Sequence, residues 1–224
     1  MDKSKNLHGH LFALTANVMW GLMAPIGKSA LQEFSALSVT TFRMIGAAAA
    51  FWMLSIFCKQ EHVNHRDMLK IFFASLFALV FNQGIFIFGL SMTSPIDASI
   101  VTTTLPIVTM IVAAIYLKEP ITNKKVLGIF VGAMGALILI LSSGGNRNLI
   151  GDLLCLVAQI SFSIYLTVFK GLSQQYSAVT INKWMFVYAS ICYIPFSYYD
   201  ISTIQWASIS TVAIIQVLYV VLGG

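Results

Sequence analysis

Long apolar runs separated by short polar segments make up most of this chain. A transmembrane helix needs about 20 mostly apolar residues to cross a hydrocarbon core roughly 30 Å thick. Seven runs approach or reach that length, at 11–31, 36–58, 69–92, 95–117, 126–141, 149–169 and 180–198, and an eighth begins near residue 207. Because lipid offers the backbone no hydrogen-bond partners, each run should be helical. The pattern predicts an all-α membrane protein, a multi-pass helical bundle with about seven to eight spans.

Composition supports a membrane protein and argues against a soluble one. The 224 residues are 58% hydrophobic and only 9% charged, and the mean hydropathy is +0.85, whereas soluble domains carry about 25% charged residues. The net charge of +5 is spread singly between apolar runs and forms no basic patch. We therefore expect the lipid bilayer as a partner and no nucleic acid.

Polar signals mark both ends of the predicted fourth span. Ser94 precedes Pro95, and Asp97 completes the S-x-x-D pattern of a capping box, which predicts a helix start. The run ends at Lys118-Glu119-Pro120, since proline cannot continue a helix without losing a hydrogen bond.

The distribution of lysine and arginine predicts the orientation. With the N-terminus in the cytoplasm, ten basic residues lie in cytoplasmic segments, two lie opposite (Lys28 and Arg147), and Arg43 falls inside a span. Cytoplasmic loops of membrane proteins carry such an excess. We expect a multi-pass protein of the cell (plasma or inner) membrane with a cytoplasmic N-terminus.

An internal repeat appears when the sequence is shifted by 142 residues. Ten identities occur over about 47 gapless positions, most clearly at 32–36 against 174–178. The period contains five predicted helices, and an odd number reverses the second copy. This inverted-topology arrangement is typical of secondary transporters, which hold substrate near the midplane. The predicted division is 1–145 for a first repeat of five helices, and 146–224 for an incomplete second repeat of two helices and part of a third.

Several short motifs together resemble one complete five-helix repeat of the EamA-type branch of the drug/metabolite transporter superfamily. They are Trp20-Gly21, 38–43, Phe88-Gly89-Leu90, Ser94-Pro95, Leu105-Pro106, 117–122, and the small residues Gly128, Gly132, Gly135 and Ala136. The resemblance covers essentially the whole chain and implies ten helices in two inverted repeats. Since about seven to eight spans are present, we expect a fragment or truncated form that lacks the last helices.

Arg43 is the one charge well inside a predicted span. Charges within membranes are costly and usually functional. Two interpretations stay open. The side chain either snorkels to the interface or bonds a loop carbonyl, or it attracts a carboxylate or other anionic group of a substrate.

Other polar and aromatic residues are candidates for a substrate cavity. The amides of Asn17, Gln83 and Gln159 are expected to be buried, where they either join helices or line a wet cavity. Asn17 and Gln159 are equivalent across the repeat. The remaining cavity candidates are Trp20, Thr103, Tyr165, Trp184 and Tyr188. For each aromatic, a lipid-facing or interfacial position is the alternative.

Two further features concern helix shape and packing. Pro106 should kink its helix, with Thr102, Thr103 and Thr104 satisfying the freed backbone groups, either as a static kink or as a hinge. Gly128 and Gly132 form a GxxxG pair that predicts close packing, within the protein or between two copies.

The absence of several motifs from the sequence reduces the range of expected functions. No span has an acidic residue near its centre, which disfavours proton-coupled export of cationic drugs through a membrane carboxylate. No phosphate-binding GKS/GKT loop, metal-ligand spacing or catalytic constellation occurs, so we expect no enzyme, metal or organic cofactor. The leading hypothesis is a secondary transporter of small polar metabolites, such as amino-acid-like compounds, acting by alternating access as a monomer or homodimer. The alternative is a non-transporting membrane scaffold, or a fragment that needs partner helices.

Overall fold

The computed structural model describes residues 3–118 and 148–223, and between them 126–128, 130–132, 134–135 and 138. Every regular element in these residues is a helix. The helices are α1 (Lys3–Ala30), α2 (Ala36–Ile56), α3 (His65–Ser75), a π-helix (Leu76–Gly84), α4 (Ile85–Met92), α5 (Pro95–Thr102), α6 (Leu105–Tyr116), α7 (Leu149–Val168), α8 (Lys170–Gln175), α9 (Ala178–Ser202), a 3₁₀ turn (Trp206–Ser208) and α10 (Thr211–Gly223). The predicted all-α, multi-pass membrane fold is confirmed.

Most of the predicted spans correspond to helices. Four helices of the described residues are long and apolar enough to cross a membrane: Ala36–Ile56, His65–Met92, Pro95–Tyr116 and Leu149–Val168. The less apolar α1 and α9 have 28 and 25 residues, or about 42 and 38 Å at 1.5 Å per residue, which exceeds the bilayer core. The predicted run at 126–141 falls largely outside the described residues, although those described within it are helical.

The predicted helix boundaries have the expected local chemistry. The hydroxyl of Ser94 accepts from the Asp97 N–H at 3.0 Å, which is the first bond of a capping box, and it donates to the Asp97 carboxylate at 2.7 Å. At the other end, helix α6 stops at Tyr116, and Lys118 adopts the left-handed conformation with φ 53°. A left-handed residue after the last turn is a common way for a helix to end.

Helices α2 and α9 form an antiparallel pair that runs through the bundle. Ser35 caps the start of α2 and donates to Asp200 near the end of α9. Ser177 caps the start of α9 and donates to Glu61, just beyond the end of α2, at 2.9 Å. Each helix therefore begins where the other ends. Between these ends, aromatic side chains of the two helices pack face to face and edge to face.

The remaining helices pack around this pair. Helix α1 lies against α10, α7 lies against the π-helix and α4, and α3 and α10 also contact α9 and α2, respectively. Helices α4 and α7 approach closely because each has a glycine at the crossing. A Cβ on Gly89 would lie 2.8 Å from the carbonyl oxygen of Gly151, and a Cβ on Gly151 would lie 2.9 Å from that of Gly89.

The π-helix at Leu76–Gly84 interrupts one long membrane-crossing helix. Its altered hydrogen-bond pattern leaves backbone carbonyls to be satisfied by neighbouring helices. The Phe77 carbonyl accepts from the Ser161 hydroxyl of α7, and the Val80 carbonyl accepts from the Tyr193 hydroxyl of α9, each at 2.7 Å. The π-helix is thereby fastened to two helices distant in sequence, and its position in the bundle depends on both.

Replacing Tyr193 with Phe should lower stability, because the Val80 carbonyl would lose the hydrogen bond that it accepts from the Tyr193 hydroxyl. We expect a loss of about 1 kcal/mol, which thermal unfolding of the purified protein in detergent would detect. Tyr198→Phe is the matched control on the same helix, since the Tyr198 side chain is 74% exposed. Equal melting temperatures for the two variants would contradict the proposed role of the Tyr193 hydroxyl.

Candidate functional site

Two cavities lie on either side of α1, and they share the side chains of Asn17 and Trp20. The first has a volume of about 540 Å³ and extends toward α5 and α6, with Thr103 and Pro106 in its wall. The second has a volume of about 630 Å³ and extends toward α2 and α9, with Arg43 in its wall. Both volumes fall in the range of cavities that bind small molecules. Six of the predicted residues therefore line one or both of these adjoining cavities: Asn17, Trp20, Arg43, Gln83, Thr103 and Pro106.

Asn17 lies in the middle of α1, in the wall common to both cavities. The prediction that its amide is buried is wrong, because the side chain is exposed. Residues 10–12 and 14–18 of α1 are exposed, whereas its second half enters the core through Met23, Ala24 and Ala30. Asn17 is therefore positioned to meet a ligand or water as well as a neighbouring helix.

Arg43 is buried in helix α2, with only 3% of its surface exposed. It lies eight residues after the capping Ser35, or about 12 Å along the helix axis. Its Nη1 donates to the sulfur of Met23 at 3.2 Å, and the side chain lines the second cavity. Burial excludes the snorkelling arrangement, and among the described residues its guanidinium donates to no loop carbonyl. Arg43 therefore contributes a fixed positive charge to the cavity wall.

The π-helix brings an amide to the same cavity. Asn82 is buried and donates from Nδ2 to the carbonyl of Ala158 in α7 at 2.8 Å. The next residue, Gln83, is half-buried and lines the second cavity beside Arg43. Asn82 thus joins helices, while Gln83 faces the cavity. Two neighbouring residues therefore occupy the two kinds of position that amides take in membranes, one joining helices and one lining a cavity.

Gln159 is buried, as predicted, but it lines neither cavity. It occupies the position in α7 that corresponds to Asn17 in α1 after the shift of 142 residues. The two equivalent amides therefore have different surroundings. One reason is that α7 packs along the π-helix and α4, and also against α5 and α6, whereas residues 10–12 and 14–18 of α1 are exposed.

The helix break before Pro106 is observed. Helix α5 ends at Thr102, and α6 begins at Leu105 after a turn. The hydroxyls of Thr102, Thr103 and Thr104 donate to the carbonyls three residues earlier, at 2.6–2.7 Å. The hydroxyls thus bond the last carbonyls of α5, and not the Thr102 carbonyl that Pro106 leaves without its usual donor. Thr103 and Pro106 both line the first cavity.

The structure does not bring Tyr165, Trp184 and Tyr188 to either cavity. Trp184 packs edge to face on Trp52 with ring centroids 5.5 Å apart, and it also contacts Tyr188. Tyr165 stacks on Phe162 at 5.6 Å. These aromatics fill the spaces between helices near one end of the bundle. Trp20 is the predicted aromatic that does line both cavities.

The GxxxG pair shows no close contact within the described residues. Both glycines are exposed, and a Cβ on Gly128 would meet nothing within 4 Å. A Cβ on Gly132 would meet the Ile107 side chain at 3.8 Å, an ordinary contact. Internal close packing is therefore not observed here, and packing between two copies stays a prediction.

Several cavity residues were missed by sequence reasoning. Asn182 in α9 lines the second cavity together with Phe51 and Phe186, and Ser99 and Thr102 line the first. Asn182 gave a usable signal, since an amide inside a predicted span is itself unusual. The others are ordinary helix residues, and only the packing of the helices shows which way they point. Among the described residues, no three histidine, cysteine, aspartate or glutamate side chains converge on a common point that could hold a metal ion.

Comparison with known proteins gives consistent results. The sequence pattern of the EamA-like transporter family matches residues 7–141. An uncharacterised transporter of Archaeoglobus fulgidus is 28% identical over 83% of this chain and 66% of its own length. The uncharacterised transporter YetK of Bacillus subtilis is 21% identical over 91% of this chain and 64% of its own length. The chain thus spans about two thirds of the length of these relatives. With the helices and the cavity as described, these matches show that the chain is a multi-pass membrane protein of the EamA-like transporter family.

Proposed function

We propose that the full-length protein is a secondary transporter of small polar metabolites, including amino-acid-like compounds, and that it works by alternating access. The observation that carries this proposal is the second cavity, where α1, α2 and the π-helix present amide, indole and guanidinium groups. A polar cavity between helices of a membrane bundle is where carriers hold their substrates.

The contacts between helices support the proposed repeats at 1–145 and 146–224. Ser35 and Ser177 are equivalent after the shift of 142 residues, and each caps the helix that pairs with the other. The packing of α1 on α10 likewise corresponds to the packing of α7 on the π-helix and α4. Equivalent helices with opposite directions are what an inverted repeat requires.

Hydrogen bonds between the proposed repeats lie at both ends of the bundle. At one end, which we call the Glu33 face, the carboxylate of Glu33 accepts from the N–H and hydroxyl of Ser210 at 2.7 and 2.6 Å. At the other end, the Glu61 face, the carboxylate of Glu61 accepts from the N–H and hydroxyl of Ser177, both at 2.9 Å. Glu33 is exposed and Glu61 is half-buried, and each carboxylate accepts from the residue that precedes a helix. A cavity that opens alternately to each side would require one of these contacts to break at a time.

The charge distribution supports an orientation for these faces. Helix α1 ends at the Glu33 face, so the N-terminus lies at the Glu61 face together with most of the lysine and arginine residues. We propose that the Glu61 face is cytoplasmic in the plasma or inner membrane. A monomer and a homodimer are both compatible with the cavity, which lies within one copy.

The proposed function is tested by reconstituting the full-length protein into liposomes and screening uptake of radiolabelled small polar metabolites. We expect saturable uptake of at least one class, with no requirement for ATP. Empty liposomes, and liposomes containing the Asn17→Leu variant, serve as controls, because a branched apolar side chain at Asn17 would obstruct both cavities. No uptake or exchange of any compound by folded protein would favour the membrane scaffold instead.

Replacing Pro106 with Ala should slow the exchange between states open to either side, because the restored N–H can complete a continuous helix across the break between α5 and α6. The test follows a Thr103→Cys reporter, in a background without the native cysteines, with membrane-impermeant thiol reagents added from each side. Pro95→Ala is the matched control, since Pro95 occupies the first turn of α5, where no donor is needed. Unchanged labelling from both sides would indicate a static kink.

Glu33→Ala and Glu61→Ala should change access in opposite directions, because each removes a contact from one face only. An Asn17→Cys reporter, which lies in both cavities, should label several-fold faster from the Glu33 face in the first variant and from the Glu61 face in the second. Each variant is the control for the other. Equal effects on both sides would argue that these contacts do not gate the cavity.

Lowering the pH tests the contacts of Glu33 and Glu61 in a second way. The hydrogen bonds from the Ser210 hydroxyl and N–H lower the pKa of Glu33, and those from Thr180 and Ser177 lower the pKa of Glu61. A lowered pKa means that each contact is fully stabilising above the ordinary glutamate pKa and is lost as the pH falls through the lowered value. Reporter labelling, divided by that of an exposed cysteine at the same pH to correct for the thiolate fraction, should therefore stay constant at neutral pH and rise only in acid.

A further inference from the structure

We propose that Arg43 binds an anionic group of the transported compound, so that the protein selects ligands with a carboxylate or an equivalent anion. This inference rests on the proposed function, and it adds a ligand class and the residue that determines it. Four observations carry it: the burial of the guanidinium, its single weak acceptor, the engagement of the described carboxylates elsewhere, and the cavity in front of it.

The position of Arg43 makes an uncompensated charge costly. The residue is 3% exposed and lies about 12 Å into a membrane-crossing helix. An ionised group that is buried in a membrane-crossing helix needs a counter-charge or several hydrogen bonds. The guanidinium carries five N–H donors in a planar fork. Its one hydrogen bond within the described residues goes to the Met23 sulfur, which is a weak acceptor.

No carboxylate of the described residues neutralises Arg43. Each of the six described acidic side chains is engaged near a helix end: Glu33 with Ser210, Glu61 with Ser177, Asp67 with Lys70 and Tyr176, Asp97 with Ser94, Asp152 with Thr93, and Asp200 with Ser35. The ion pair found among these residues joins Asp67 and Lys70. The described part of the bundle therefore supplies no anion at the level of Arg43.

Two lysines in helices, Lys28 and Lys183, have partners of a kind that Arg43 lacks. The ammonium of Lys28 donates to the carbonyls of Leu90 and Ser91, each at 2.8 Å, at the end of α4. The ammonium of Lys183, which is 5% exposed, lies 5.1 Å from the centre of the Trp52 ring in a cation–π contact. These contacts within the protein satisfy both charges. Neither lysine lines either of the two cavities.

The cavity in front of Arg43 has the size and the polar groups that a small anion needs. Its volume is about 630 Å³, and its wall also contains Asn17, Gln83 and Asn182. A guanidinium pairs with a carboxylate through two parallel N–H···O bonds, which a lysine cannot reproduce. The three amides offer both donors and acceptors for the remainder of the ligand. The arrangement thus favours a compound with an anionic end and a polar or amphipathic body.

The test is equilibrium binding to the purified full-length protein, which does not depend on transport. Paired probes that differ in charge are compared by thermal shift and calorimetry: benzoate with benzamide, lactate with lactamide, and leucine with leucinamide. Wild-type protein should bind at least one acid more tightly than its amide. Arg43→Met, which copies the residue found at the equivalent position Met185, should weaken binding of that acid roughly 10- to 100-fold and leave the amide little changed.

Two further variants separate charge from geometry. Arg43→Lys keeps the charge but loses the bidentate fork, so acid binding should fall by a smaller factor than in Arg43→Met. Lys183→Met is the matched control, because it removes a buried cation of the same bundle outside the cavity, and it should keep the wild-type preference for the acid.

Three results would overturn the inference: equal wild-type binding of every acid and its amide, an unchanged preference in Arg43→Met, or an equal loss in Lys183→Met. Should neither Arg43 variant fold, the wild-type comparison alone decides. If another part of the full-length protein supplied a counter-charge to Arg43, wild-type protein would bind each acid and its amide equally, and Arg43→Met would be destabilised. Acid-selective binding without any uptake would leave the anion site supported while contradicting the transport function, so the two failures are distinguishable.

Discussion

The antiparallel contact between α2 and α9 sets the positions of most other described helices. Each helix starts with a serine cap whose hydroxyl also reaches a carboxylate at the far end of its partner, through Ser35 with Asp200 and Ser177 with Glu61. The pair is therefore fixed at both ends as well as along its length. With α2 and α9 aligned in this way, α10 packs on α2 and α3 packs on α9, and the second cavity lies between this pair and α1.

The cost of unsatisfied backbone groups in lipid explains the irregular parts of the bundle. The π-helix leaves carbonyls that Ser161 and Tyr193 satisfy from other helices. The break before Pro106 uses threonine hydroxyls on the last carbonyls of α5. Both irregular segments border a cavity, Gln83 at one and Thr103 at the other. Irregular backbone in membranes is tolerated where it is buried in protein or lines a cavity, and both conditions hold here.

A buried charge in the membrane, like an unsatisfied backbone group, is costly, and this applies to Arg43. A buried guanidinium is stable only where something in its surroundings compensates it, and the nearby α1 helix supplies a sulfur and the edge of a cavity. The contrast with Lys183, which rests on the ring of Trp52, shows that this bundle can satisfy a buried cation internally. Lys183 has a cation–π partner within the protein, whereas Arg43 has a single weak acceptor and faces a cavity. This difference is the basis for assigning Arg43 a ligand-binding role.

The sequence by itself determined the membrane class, the positions of most spans, the capping box at Ser94 and the family. These depend on the local cost of placing polar groups in lipid, which each segment carries independently of its neighbours. Only the tertiary structure decided which polar residues share a cavity. Gln83 enters it and Gln159 does not, Asn17 is exposed where burial was predicted, and Tyr165, Trp184 and Tyr188 pack between helices. The direction of a side chain depends on how helices cross and on the wider turns of the π-helix, and these follow from contacts between residues far apart in the sequence.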